Sequence, residues 1–305
     1  MLTRRLISAA ILISGVLLLA YFDFWLGKPE QTGRPGIILG TLAVLGAAIC
    51  SGEMVQLFRQ KCPYLNLPFA MAVGSLAVLV CCAPIAWRDY PVDCQVGQFG
   101  WSMMALTAAI GLAFLFEMFR FGKSQNATER ITHYAMIFSY LLLMFAFLIA
   151  HRRLHQDNLL GVIALICLLT TVKMSDAAAY FTGRSLGKNK LAPNLSPGKT
   201  IEGACGSILG GWLGTALVIF LVAPLICELT IEKQWWWFLI YGGVVSLFGI
   251  FGDLAESLLK RDANIKDSSS WIPGMGGFLD VIDSLVFTAP ISYFLWLIGD
   301  LPAAP

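Results

Sequence analysis

The sequence predicts an all-α, polytopic integral membrane protein, and three observations carry that expectation. Of the 305 residues, 57% are hydrophobic and 13% charged, against roughly 45–50% and about 25% in soluble domains. Mean hydropathy is +0.73. Apolar runs long enough to cross a bilayer, about 20 residues, recur along the whole chain. A soluble domain of this size must keep its exterior wet, so composition excludes a soluble enzyme, a disordered chain and a disulfide or collagen-like scaffold. The net charge of +2 gives no reason to expect nucleic acid.

Nine apolar segments are predicted to span, at about 6–26, 37–57, 68–87, 101–119, 131–150, 158–181, 203–227, 235–259 and 278–299. The first follows Arg4 and Arg5, runs past a signal-peptide core and lacks a clear small-x-small cleavage site. It is therefore expected to be a retained helix. With the N-terminus in the cytoplasm, the inner segments collect Arg4, Arg5, Arg59, Lys61, Arg120, Lys123, Arg130, Arg184, Lys188, Lys190, Lys199, Lys260, Arg261 and Lys266. The outer loops hold only Lys28, Arg34, Arg88, Arg152, Arg153 and Lys233. Positive charge favours the cytoplasmic side, and nine spans then place the C-terminus outside. The eight cysteines fall mostly in apolar runs, with no CxxC pair and no His at ligand spacing. They read as small core hydrophobes.

Two long polar loops, 182–202 and 260–277, both belong to the inner side and are rich in Gly, Ser, Pro and Lys. Residues 1–150 are expected to be a variable transmembrane scaffold giving lipid access. Residues 151–305 are expected to be the catalytic transmembrane region carrying both loops.

Carboxylates inside spans are costly, about 2.5–3.5 kcal/mol each on insertion scales. Asp23, Glu53 and Glu117 are single and near span ends, and read as interfacial or helix-pairing groups. In the eighth span Asp253, Glu256, Ser257 and Lys260 recur at i, i+3, i+4 and i+7, which places them on one helical face. Asp280 and Asp283 repeat the i, i+3 step, and Lys173, Asp176 and Tyr180 form a third such set. Buried ion pairs such as Lys173 with Asp176 are the structural alternative. An excess of acid in a polar cavity calls for a hard cation, and oxygen ligands suit Mg²⁺. The turn Ser196-Pro197-Gly198-Lys199-Thr200 suits phosphate, through its backbone N–H groups and a lysine. It is not a Walker A loop, because Pro193 stands where that motif needs glycine. Thr200 and Glu202 also fit the cap and first turn of the following helix.

Residues 257–284 read Ser257-Leu-Leu-Lys260-Arg261, four residues, Lys266-Asp267, then Pro273-Gly274-Met275-Gly276-Gly277, then Asp280 and Asp283-Ser284. This resembles the signature of phosphatidate cytidylyltransferases, the CDP-diacylglycerol synthases: S-x-x-K-R-x(4)-K-D, then P-G-H-G-G-x-x-D-R-x-D. Asp176, Tyr180, Gly183-Arg184, Ser196 to Gly203 and Gly252-Asp253 extend the likeness over about 173–290. It is only topological over the first 150 residues. Met275 and Val281 stand where the pattern has His and Arg, while the acidic residues are all present.

The resemblance implies that CTP and phosphatidate give CDP-diacylglycerol and pyrophosphate. It implies Mg²⁺, with a second metal or a monovalent cation as a further possibility. It also implies a homodimer in a bacterial-style inner membrane, with the active site facing the cytoplasm. Asp253, Lys260, Asp280 and Asp283 would be catalytic, the three Asp being metal ligands. Lys199, Lys260, Arg261 and Lys266 would hold the triphosphate, and Ser196 and Asp176 would line the nucleotide site. Arg184, Ser257 and Asp267 complete the substrate-binding set. Arg184 and Arg261 are candidates to replace the missing His and Arg. The departures at Met275 and Val281 keep two alternatives open: a CTP-dependent transferase for another lipid phosphate, and an inactive paralogue. A transporter is disfavoured, because the polar residues gather on one side and no inverted repeat is visible.

Overall fold

The computed structural model describes residues 2–28, 30–87, 90–91, 94–122, 126–154, 158–227, 235–269, 271–272 and 276–299. It is a helical, polytopic membrane protein. The helices are α1 (Leu2–Leu26), α2 (Ile37–Phe58), α3 (Leu67–Cys81), α4 (Ala83–Ala86), α5 (Gly97–Arg120), α6 (Ala127–Arg152) and α7 (Asn158–Leu186). After a hairpin of β1 (Lys190–Ala192) and β2 (Ser196–Thr200) come α8 (Ile201–Leu217), α9 (Ala223–Cys227), α10 (Trp235–Asp262) and α11 (Phe278–Ile298). Among the described residues, seven helices are long and apolar enough to cross a membrane, with α8 and α9 counting as one.

Two compact units divide the chain: 1–150 with 259–282, and 151–258 with 283–305. In the first, Asp23 caps α2, accepting from Gly36 N at 3.1 Å, Ile38 N at 2.9 Å and Leu39 N at 3.3 Å. A carboxylate there satisfies orphan donors and complements the helix dipole. The expected span 68–87 is instead the 15-residue α3, then the four-residue α4. Pro84 is the cause, since it lacks an N–H and its ring clashes with the carbonyl four residues back. Asn66 starts α3 by accepting from Phe69 N at 2.8 Å. Glu117 on α5 and Arg130 on α6 form a buried ion pair at 2.6 Å, the helix-pairing role expected of that carboxylate.

The second unit is built on the α7–α8 pair. Gly206, Gly210 and Gly214 repeat every four residues along α8, the small-residue spacing that lets helices approach in a membrane. A Cβ at Gly210 would lie 2.5 Å from the Met174 carbonyl oxygen, and one at Gly214 3.0 Å from that of Thr170. Hydroxyls then bridge the seam, Thr171 to Thr215 at 2.9 Å and Ser175 to Ser207 at 2.5 Å. Gly210→Val pushes a branched side chain into backbone that cannot yield. It is expected to cost at least the 1–3 kcal/mol of ordinary overpacking, read as a lower unfolding temperature in detergent. Gly111→Ala, where nothing lies within 4 Å, should leave that temperature unchanged or raised.

α8 passes through a π turn, Val218–Val222, before α9. Pro224 forces that turn, because it cannot donate to the carbonyl four residues earlier.

Candidate functional site

The second unit gathers one cluster of charge. The predicted loop 182–202 is more ordered than expected: α7 runs on to Leu186 and the rest is mainly the β1–β2 hairpin, with Lys190 opposite Thr200 and Ala192 opposite Ser196. The hairpin is fastened to α8. Thr200 caps the helix, accepting from Gly203 N at 3.0 Å. The Glu202 carboxylate accepts from Lys188 N at 3.1 Å, Asn189 N at 3.2 Å and Asn189 Nδ2 at 2.9 Å. Both capping expectations hold, and Glu202 also shapes the hairpin.

Held this way, β2 delivers Lys199 to Asp253 of α10, with Nζ 2.6 Å from Oδ2. Ser257 lies one turn on, its Oγ 3.5 Å from Asp253 Oδ1. On α7, Lys173 pairs with Asp176 at 3.6 Å, the ion pair the i, i+3 spacing allowed. Asp283 is buried on α11, where Ser284 N at 2.5 Å and Ser284 Oγ at 3.1 Å both donate to its Oδ1. Gly252 permits this arrangement: a Cβ there would sit 2.9 Å from the Asp283 carbonyl oxygen. Asp176, Asp253 and Asp283 thus lie within one another's field, with Lys173 and Lys199 among them. Their oxygens do not close into a set of three within 4.8 Å.

The first unit orders the glycine-rich loop. Asp280, in the first turn of α11, accepts from Lys260 Nζ on Oδ1 at 2.6 Å. Its Oδ2 takes Ser268 N at 2.9 Å, Ser268 Oγ at 2.8 Å and Gly277 N at 2.7 Å. Gly276 has φ of 97°, and a Cβ there would strike that oxygen; only glycine fits on both counts. Ile272 and Gly276 exchange backbone hydrogen bonds at 2.8 and 3.2 Å. Pro273, Gly274 and Met275 lie outside the described residues.

Glu53 is the group that sequence reasoning missed. From α2 it accepts four hydrogen bonds: Ser269 Oγ at 2.7 Å, Ser268 Oγ at 3.3 Å, Phe278 N at 3.0 Å and Leu279 N at 2.7 Å. It ties the start of α11 and the loop before it to α2. Gly277 lies against it, too close for any Cβ.

Of the remaining expected site residues, Arg184 turns back on its own helix, donating to Tyr180 Oη at 3.0 Å. Arg261 is exposed in the last turn of α10, Lys266 and Asp267 are exposed beyond it, Ser196 is half-buried where β2 begins, and Val281 is half-buried on α11.

A frame of helices long and apolar enough to span a membrane, together with a family match over nearly the whole chain, defines a membrane-embedded cytidylyltransferase. Residues 3–298 match the model described as the cytidylyltransferase family, and the chain belongs to that family. It is 30% identical to the phosphatidate cytidylyltransferase of Haemophilus influenzae, over 98% of this chain and 100% of that protein. The Chlamydia trachomatis protein of the same name is 30% identical over 97% and 93% of the two chains. The Bacillus subtilis one is 39% identical over 156 residues, which span 51% of this chain and 54%, about half, of that relative.

Proposed function

We propose that this protein transfers the cytidylyl group of CTP to phosphatidate, releasing pyrophosphate and forming CDP-diacylglycerol, at the cytoplasmic side of a bacterial inner membrane. The observation that carries this reading is the Asp176–Asp253–Asp283 cluster with Lys199 brought onto Asp253 by the hairpin. The relatives' name supports the substrates.

The cluster fits Mg²⁺ by its chemistry. Its ligands are hard oxygens, and Asp283 Oδ2 takes none of the hydrogen bonds that occupy Oδ1. Mg²⁺ binds through one or two carboxylates together with water and substrate phosphates, so three converging protein oxygens are not required. Asp253 and Asp283 would hold it, with Asp176 beside them. Asp280, a ligand by family resemblance, is here spent mainly on ordering the loop, with Oδ1 toward Lys260. When bound, Mg²⁺ would offset charge on the triphosphate and the departing pyrophosphate.

The chain's own residues do the rest. The lipid phosphate is already anionic near neutral pH, so its oxygen attacks the α-phosphorus without a strong general base. The bond to the β-phosphate oxygen breaks in line, and pyrophosphate leaves with the electron pair. The barrier is the approach of two anions, so positioning and countercharge dominate. Lys199 supplies fixed positive charge at the cluster, and Ser196, Ser257 and Arg184 offer donors to nucleotide or phosphate; the family resemblance assigns triphosphate binding also to Lys260 and Arg261, in the last turn of α10, and to the exposed Lys266.

The test is a lipid panel with purified protein, CTP and Mg²⁺. Phosphatidate should give CDP-diacylglycerol, and a chelator should abolish it. Product from polyprenyl phosphate but not from phosphatidate would replace the acceptor, and Met275 and Val281 would then be where to look.

A further inference from the structure

Cysteine spacing alone shows no ligand set, because the groups that complete one come from distant segments. Cys62 lies between α2 and α3, while Glu129 and His133 lie one turn apart at the start of α6. Among the described residues, the thiol sulfur, one carboxylate oxygen and one imidazole nitrogen are the group of three ligand atoms that all lie within 4.8 Å of one another. All three belong to the first unit. We infer that Cys62, Glu129 and His133 form a binding site for a borderline divalent transition metal of the zinc type, separate from the carboxylate cluster of the proposed transferase site.

The donor set decides the class of ion. Sulfur, nitrogen and oxygen together suit Zn²⁺ and its neighbours and disfavour Mg²⁺ or Ca²⁺. Three protein ligands leave a fourth tetrahedral position for water. The geometry is near what an ion needs. Bonds of ~2.0–2.3 Å at tetrahedral angles put ligands roughly 3.3–3.8 Å apart, so the group has about 1 Å to close. Glu129 is exposed and can move.

The imidazole is held by its own helix. His133 Nδ1 meets the Glu129 carbonyl oxygen at 2.7 Å. With the proton on Nδ1, Nε2 carries the lone pair, the usual outer-shell device of a metal-binding histidine. Phe58 packs edge-on against the ring, with centroids 5.0 Å apart. The loop is otherwise fastened at both ends, by Asn66 N to Tyr134 Oη at 2.6 Å and by Lys61 to Asp262 at 2.5 Å. A metal would add a third tie, from its middle to α6.

The test uses the tag-free, full-length protein in detergent, stripped with chelator and titrated with Co²⁺ as a spectroscopic probe. One Co²⁺ per chain is expected, with a sulfur-to-cobalt charge-transfer band, and Zn²⁺ should displace it. Cys62→Ser should remove the band. His133→Asn and the exposed Glu129→Gln should weaken binding at least tenfold. A band that survives in Cys62→Ser, or no Co²⁺ retained by folded wild type, overturns the site. Glu129→Gln keeps the test open if the buried cysteine variant does not fold.

Discussion

Asp253→Asn is expected to lower cytidylyl transfer by about 10³-fold, corresponding to roughly 4 kcal/mol of lost transition-state stabilisation. Asparagine keeps the shape of the side chain but not its charge. It loses the 2.6 Å pair with Lys199 and a negative ligand facing Asp283. Folding should survive. The Asp253 side chain is 37% exposed, and removing one of three mutually repelling carboxylates offsets the broken ion pair. The unfolding temperature in detergent should therefore stay within a few degrees of wild type. Wild-type turnover in this variant would end the assignment of Asp253 as the metal and lysine anchor.

Glu53→Gln should lower turnover by about 10²-fold and also destabilise. Hydrogen bonds to a charged acceptor contribute about 1.5–3 kcal/mol each. Glu53 accepts four, and is only 5% exposed. Glutamine offers one carbonyl oxygen, and its amide would point donors at donors. The loss should fall on the loop, as faster amide hydrogen exchange over 263–279. Glu53→Asp, with charge restored on a shorter arm, should recover part of both. Full activity in Glu53→Gln with unchanged exchange would show that the loop holds its shape without this clamp.

Much of this architecture could be read from the sequence, because membrane helices advertise themselves by length and hydropathy. α2, α5, α6, α7, α10 and α11 lie where apolar runs were marked. α7 and α10 run further, to Leu186 and Asp262, since polar residues can continue a helix beyond the hydrocarbon. The β1–β2 hairpin escaped notice because strands of three and five residues are too short for a period-2 pattern. Lys199, Asp253 and Asp283 were found as residues, but their convergence depends on Gly252 and the hairpin. By its spacing Glu53 is a single carboxylate near a span end. Its partners lie 215 to 226 residues away, and no local spacing reports a contact of that range. Cys62 failed for the same reason, since its candidate partners sit on another helix.

The most direct test of the central claim is the fate of the two ends of the CTP triphosphate. Purified protein, phosphatidate and Mg²⁺ would be incubated with CTP labelled on either the α- or the γ-phosphate. Cytidylyl transfer predicts α-label in the lipid and γ-label in free pyrophosphate. Label from the γ-phosphate in the lipid, with none from the α-phosphate, would make the protein a CTP-dependent kinase and contradict the account.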